Sequence, residues 1–449
     1  MKIQISEHFT TKKLLTFCLP SIIMMVFTSV YGVVDGLFVS NYAGYTAFAS
    51  VNFIMPLLMA FGSLGFMFGT GGSAIVAKTF GEGKKELANQ YFTMIVSVNI
   101  IIGVILSVIG FILLKPVAIL MGASAEMLEY CLKYGRILIC AVPFFMLQNV
   151  FQSFFITAGK PDTGLKISIL SGITNMVFDY LFIGVFRWGV TGAGLATALC
   201  QIVGAVIPLF YFSRKNTSLL RFVKFKFNRK VIFRTCTNGS SELMTNISMS
   251  LVNMLYNSQL MKYAEKAGLE GEDGVSAYGV IMYVSFIFVS IFIGLSIGSA
   301  PVVSYNYGAK NSGELKNIFR KCIMIISFIA VAMVILSQAI ATPLAEIFVG
   351  NKPELFELTE HAFRIYAVSF LLAGFNIYGS SFFTALNNGI VSAVISFLRT
   401  LVFQIVMVML IPLVFGLDGI WSSIILAELL ALFVTVFFIF SNRKKYGYM

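Results

Sequence analysis

A succession of long apolar blocks decides what this chain can fold into. Charged side chains are rare over stretches of about 20 to 28 residues, long enough to cross a ~30 Å hydrocarbon core as helices. About twelve such blocks can be read, roughly at 14–40, 50–78, 91–114, 130–158, 163–186, 190–212, 232–261, 275–304, 317–343, 362–386, 391–414 and 419–441. They are continuous rather than alternating, which excludes a β-barrel. Composition agrees: the chain is 58% hydrophobic and 12% charged, with a mean hydropathy of +0.88, whereas soluble domains are nearer half apolar and a quarter charged. The expected fold is therefore an all-α integral membrane protein of twelve transmembrane helices, with no soluble domain left over. The first block is too long for a cleavable signal peptide and is expected to be the first span. The cysteines (Cys18, Cys131, Cys140, Cys200, Cys236 and Cys322) lack CxxC spacing and read as small buried apolar residues.

The net charge is +12, and its placement matters more than its size. With a cytoplasmic N-terminus and twelve spans, the inner segments hold Lys2, Lys12, Lys13, Lys78, Lys84, Lys85, Lys160 and Lys166. They also hold the basic run from Arg214 to Arg234, then Lys310, Lys316, Arg320 and Lys321, and finally Arg443, Lys444 and Lys445. Glu265, Glu270, Glu272 and Asp273 cluster in one outer loop. This is the positive-inside pattern with both termini cytoplasmic. The run at 214–234 is explained by topology and the anionic inner leaflet, so no nucleic-acid partner is expected.

The chain repeats at an offset of about 227 positions. Gly71 with Ile75-Val76 maps onto Gly298 with Val302-Val303, Phe80-Gly81 onto Tyr307-Gly308, and Glu86-Leu87 onto Glu314-Leu315. Ser153-Phe154-Phe155 maps onto Ser381-Phe382-Phe383, and Gly189-Val190-x-Gly192 onto Gly416-Leu417-x-Gly419. Matches in the same order over most of each half indicate two six-span lobes related by an axis along the membrane normal. The division is 1–213 for the N-terminal lobe, 214–231 for a basic cytoplasmic linker and 232–449 for the C-terminal lobe. Two facing lobes leave a central cleft, and rocking them gives alternating access. A channel would carry a filter loop or a ring of charges in a symmetric oligomer; this duplicated chain has neither and is expected to be monomeric. The intramembrane glycines Gly62, Gly65, Gly69, Gly71, Gly72, Gly294 and Gly298 read as close helix packing. Pro20 removes a backbone hydrogen bond inside the first span and is expected to kink or weaken it.

Asp35 and Asp179 are carboxylates inside spans, and each costs at least about 2.5–3.5 kcal/mol there if unpaired. Asp35, Asp179 and Thr197 all fall roughly 7–11 Å below the outer edge at 1.5 Å per residue. Asn175, four positions before Asp179, shares its helix face. Two carboxylates, an amide and a hydroxyl can thus converge in the outer half of the N-terminal lobe. Such a pair cannot stay doubly ionised cheaply in low dielectric, so it holds either a proton or a hard cation such as Na⁺, for which these oxygens are natural ligands. The repeat offset maps Asn175, Asp179 and Thr197 onto Val402, Val406 and Ile424, so this set belongs to one lobe.

Other intramembrane charges leave alternatives open. Glu242 either lines the inner mouth of the cleft or snorkels to water. Arg399 either balances an acid or touches substrate, or it reaches the inner headgroups, and Glu428 is read the same way. Tyr31 is a further candidate for the cleft lining. His361 and His8 are not placed for a proton relay. Phe and Met, 45 and 21 in number, suit lipid-facing positions and a plastic apolar cleft.

With these features the chain resembles the multidrug and toxic compound extrusion (MATE) family, in its MepA-like bacterial group. The resemblance covers nearly the whole chain. It rests on the duplicated twelve-span layout, Pro20 and Asp35 in span 1, the Gly-rich second span leading to Gly81-Glu82-Gly83-Lys84, Phe154-Phe155-x-x-Ala158-Gly159-Lys160-Pro161, Asn175-x-x-x-Asp179 and Trp188-Gly189-Val190-x-Gly192-Ala193. It implies a secondary active antiporter of the bacterial cytoplasmic membrane that exports cationic or amphipathic organic compounds in exchange for H⁺ or Na⁺, with no other cofactor. Asp35, Asn175, Asp179 and Thr197 match the coupling site of similar members, and Pro20 matches the proline at which span 1 is proposed to bend. Other branches use acids in spans 7 and 10. Here Phe375-Asn376-Ile377-Tyr378 has no acid and Glu242 lies at a different depth, which speaks against a C-lobe coupling site. The runner-up is a flippase for lipid-linked precursors, which would line its cleft with cations; here intramembrane acids predominate. An enzyme is not expected, because the spans hold no nucleophile–base or metal-ligand cluster.

Overall fold

The computed structural model describes residues 4–43, 45–120, 123–350 and 352–449; Lys2 of the inner basic set lies outside them. These residues form fourteen α-helices and two π-helical turns, with no strand among them. The N-terminal half contains α1 (Thr11–Ala43), α2 (Tyr45–Gly81), α3 (Lys85–Leu120), α4 (Ala125–Thr157), α5 (Pro161–Asp179) and α6 (Gly189–Ser213). The second half contains α7 (Arg229–Lys266), α8 (Gly271–Gly308), α9 (Ser312–Val349), α10 (Pro353–Ala367), α11 (Phe370–Ala385), α12 (Gly389–Phe397), α13 (Phe403–Leu410) and α14 (Pro412–Tyr446). Among the described residues ten helical stretches are long and apolar enough to cross a membrane, counting α12, its π-helical turn and α13 as one (Gly389–Leu410), and the pair α10–α11, bent by 48°, makes an eleventh span. The twelfth is α7, 38 residues long, whose run of Thr, Asn, Ser and Glu near 235–246 hides it from a hydropathy criterion. The all-helical, twelve-span fold class is the one expected from the sequence.

Several sequence features acquire a physical reason. α1 runs through Pro20 as one helix, so the missing hydrogen bond does not break it. The repeated Gly-[Val/Leu]-x-Gly motif serves a backbone need: Gly189 and Gly416 have φ of 55° and 58°, a conformation costly for other residues. π-helical turns replace the α-helix at Tyr180–Val185, directly after α5, and at Leu398–Val402, between α12 and α13. Such turns are frequent at functional sites because they re-aim side chains and loosen the backbone ladder.

The lobes meet through α1 against α8 and through α2 against α7 and α8. Glycine makes these contacts close. A Cβ on Gly81 would collide with the Tyr305 carbonyl oxygen, and a Cβ on Gly308 with that of Lys78. Gly81 and Gly308 are repeat-related, as are Lys78 and Tyr305, so the two collisions are one contact seen from both sides of the pseudo-twofold axis. Gly71 and Gly239 abut the backbone of Thr235 and Met67, and Gly294 that of Ile22. All lie toward the end of the bundle that carries both chain termini, which is therefore shut.

Two extended straps cross at that same end. Before α1, the Phe9 amide donates to Glu314 Oε1 (2.9 Å), His8 Nδ1 meets Glu314 Oε2 (2.6 Å), and Asn317 and Lys321 donate to the Phe9 carbonyl, all on α9. Before α7, the Arg221 amide donates to Asn89 Oδ1 (2.7 Å) and the Val223 amide to Thr93 Oγ1 (3.1 Å), both on α3. Each strap leads into the first helix of one half and is bonded to the third helix of the other.

Gly81→Ala is expected to destabilise the purified protein by about 1–3 kcal/mol through overpacking of the seam, read as a lower melting temperature in detergent. Gly279→Ala, where a Cβ meets nothing within 4 Å, should leave it unchanged or raise it slightly. Equal melting of the two variants would contradict the close seam.

Candidate functional site

A cavity of about 640 Å³ lies between the lobes on the far side of the glycine seam from the chain termini. Its wall is mostly apolar and rich in methionine, including Met25, Met55, Met59, Met249 and Met282. Of the residues singled out in the sequence, Asp35, Tyr31, Asn175, Thr197, Glu242 and Arg399 all line it, and so does Glu428. Asp179 sits behind the wall, fully buried.

The local sequence explains how the N-lobe group comes together. Ser168, Ser171, Gly172, Asn175 and Asp179 are the buried stripe of α5, at helical spacing. Gly172 has no side chain to separate the helices, so the rings of Phe27 and Tyr31 on α1 lie against it. One turn beyond Tyr31, Asp35 faces the side chains of Asp179 and Asn175. Behind them, Ser171 Oγ donates to the Cys200 carbonyl (2.6 Å) and accepts from Gln148 Nε2 (3.1 Å), tying α4, α5 and α6 together. Thr197 is on the same wall, but its hydroxyl donates to the Ala193 carbonyl (3.0 Å) within its own helix. Tyr134, which the sequence did not single out, lies next to Thr197.

The electrostatics of this group are unresolved by the protein itself. Asp35 Oδ1, both carboxylate oxygens of Asp179, both polar atoms of Asn175 and the Tyr134 hydroxyl are buried without a hydrogen-bond partner among the described residues. Native proteins pair the great majority of such atoms, and acceptor-only carboxylates cannot satisfy one another. A proton shared between two such carboxylates, or a small cation among such oxygens, is the kind of partner this arrangement can accept.

The C-terminal lobe carries a polar set that sequence reading did not assemble. Arg399, inside the second π-helical turn, donates from Nε to both Glu428 oxygens (2.9 Å each), and its Nη2 lies 2.8 Å from Oε1. Asn376 Nδ2 donates to Glu428 Oε2 (2.7 Å), and the Thr435 hydroxyl donates to Asn376 Oδ1 (3.0 Å). Beside them, Tyr256 donates to Gln404 Oε1 (2.9 Å). Arg399 therefore does not reach the headgroups: it balances an acid at the cavity wall. Glu428 and Thr435 share a face of α14 at i, i+7, the one sequence signal that pointed to a polar lining there. Glu242, by contrast, lines the cavity with no ion-pair partner among the described residues.

The MatE family model matches residues 20–181 and 242–410. The chain is 26% identical over 447 residues to the multidrug export protein MepA of Staphylococcus haemolyticus (strain JCSC1435), covering 98% of this chain and 95% of that protein. It is 22% identical over 437 residues to the MepA of Staphylococcus aureus (strain MRSA252), covering 97% and 94%. Among solved structures, it resembles a MATE in complex with MaL6, at a TM-score of 0.92 and 22% identity, with 98% of each chain covered.

Asp179→Asn replaces an acceptor-only carboxylate with an amide that donates to Asp35. At pH 8 this variant is expected to melt higher than the wild type, by the equivalent of about 1–2 kcal/mol. A variant melting at or below the wild type would contradict the frustration read in the pair.

Proposed function

The chain belongs to the MatE family, and from that premise we propose that it is a secondary active antiporter that exports cationic or amphipathic organic compounds in exchange for H⁺ or Na⁺. The observation that carries the coupling role is the cluster of partnerless buried atoms on Asp35, Asn175 and Asp179. A buried pair of carboxylates with no ion-pair partner among the described residues, open to the cavity at Asp35 and closed behind at Asp179, suits a small cation that enters from the cavity side. Thr197 and Tyr134 are at hand as further oxygens. Occupying the site changes the charge between α1 and α5, and with it which packing of α1 is cheapest. Pro20, which leaves one backbone carbonyl of α1 without its donor, is where that helix yields most easily.

The cavity supports an organic cation as cargo. Its carboxylates without an ion-pair partner among the described residues are Asp35 and Glu242, while the one arginine on its wall is already neutralised by Glu428. A flippase for phosphate-bearing lipids would need the opposite balance. Methionine-rich walls adapt to varied shapes, as a multidrug substrate range requires, and the MepA proteins that this chain resembles are multidrug exporters by name. The basic residues at the end carrying the termini support a cytoplasmic location for both termini in the bacterial membrane. The closed seam at that end and the cavity beyond it then correspond to an outward-facing state of an alternating-access cycle, completed within a monomer because one chain supplies both walls.

Cells expressing the protein should expel ethidium, and Asp35→Asn or Asp179→Asn should each abolish efflux and drug resistance while membrane levels persist. Full resistance in both variants would sink the coupling role. Collapsing the pH gradient and the Na⁺ gradient in turn identifies the ion, since only one collapse should stop wild-type efflux. Efflux that survives both would contradict antiport.

A further inference from the structure

The polar set of the C-terminal lobe is built in a way that packing alone does not require. Glu428 is 4% exposed and takes three contacts from Arg399 on two of its nitrogens, Nε and Nη2. Asn376 holds Glu428 from the other side, and Thr435 fixes Asn376. The guanidinium is thereby locked in one orientation. Its remaining nitrogen, Nη1, has no hydrogen-bond partner among the described residues, and the side chain keeps 15% exposure where Arg399 lines the cavity. A planar fork with one edge spent on a buried acid and the other turned to a cavity is a preorganised donor for an acceptor group. The backbone adds an independent sign: Arg399 sits in the π-helical turn Leu398–Val402, an irregularity that costs helical regularity and concentrates at functional positions.

The facing lobe supplies the complement. Asp35 on α1 offers negative charge across the cavity, Glu242 on α7 adds to it from the C-lobe side, and the lining is mostly apolar. A ligand carrying only a positive charge satisfies those acids and offers the Arg399 edge no acceptor. A ligand with a cationic centre at one end and a carboxylate at the other satisfies both. The volume of about 640 Å³ accommodates a drug-sized molecule.

We propose that Arg399, oriented by Glu428, is the specificity-determining contact for the carboxylate of zwitterionic amphipathic substrates. Asn376 and Thr435 are positioning residues that act through Glu428. The inference deepens the export reading and rests on it.

Rhodamine 110 and rhodamine 123 test it, because they share one cationic core and differ in a carboxylate against its methyl ester. Binding to purified full-length protein is measured by fluorescence polarisation. Wild-type protein should bind both dyes. Arg399→Gln should weaken rhodamine 110 about ten-fold or more, the effect of one charge-assisted hydrogen bond, and rhodamine 123 far less. Because the single change leaves Glu428 buried and unpaired, the double variant Arg399→Gln/Glu428→Gln is measured beside it; it removes both charges, keeps an amide for Asn376 to bond, and should show the same selective loss. Parallel weakening of the two dyes, or no weakening of rhodamine 110 in the double variant, overturns the anchor and leaves the export reading standing. Wild-type protein that binds neither dye overturns both.

Discussion

The close approach of backbones at the glycine seam is the contact on which the rest of the molecule depends. Because Gly81 and Gly308 present no side chain, α2 and α8 meet with main chain against main chain about the pseudo-twofold axis. In a hydrocarbon environment there is no hydrophobic force pressing helices together, so small residues and the dispersion contacts they allow carry much of the association. Closing one end by this means leaves the other end free to diverge, and the cavity is the space that divergence creates. The functional groups are found where the seam stops: Asp35 beyond Pro20 on α1, Glu242 just past Gly239 on α7. The same interface that shuts one end thus sets the position of everything that lines the opening.

The two lobes share a fold but not a chemistry. On the N-lobe wall, carboxylates and an amide are buried with their valences open, a poor arrangement for stability and a good one for taking up and releasing a small charge. On the C-lobe wall, every member of the Thr435–Asn376–Glu428–Arg399 series has a partner, an arrangement that is rigid and does not ask for an ion. Duplication supplied two copies of one scaffold, and the polar residues then diverged to opposite ends: one site unsatisfied, one nearly saturated.

Much of this was legible in the sequence, for physical reasons. Span positions could be read because the bilayer demands continuous apolarity, and the block at 232–261 was read with the others although the first half of α7 is polar. Depth counting along rigid helices brought Asp35, Asn175 and Asp179 together before any coordinates. Thr197 shares the wall as its depth indicated, while its hydroxyl donates within its own helix, a detail that depth cannot reveal. The Arg399–Glu428 pair was out of reach for another reason. The residues are on different spans with no fixed spacing, and the π-helical turn that aims Arg399 leaves no mark in hydrophobic periodicity. The break between α10 and α11 was equally silent, since neither Pro nor Gly interrupts 367–370.

The straps at the terminal end bear on how the chain is made. Residues 8 and 9 bond to Glu314, Asn317 and Lys321 on α9, helices inserted after most of the protein has left the ribosome. Until then residues 8 and 9 lack these α9 partners. The second strap differs, because Asn89 and Thr93 are already in place when Arg221 and Val223 arrive. One strap therefore closes as synthesis proceeds and the other waits for it to be well advanced, so residues 8 and 9 reach these partners only late.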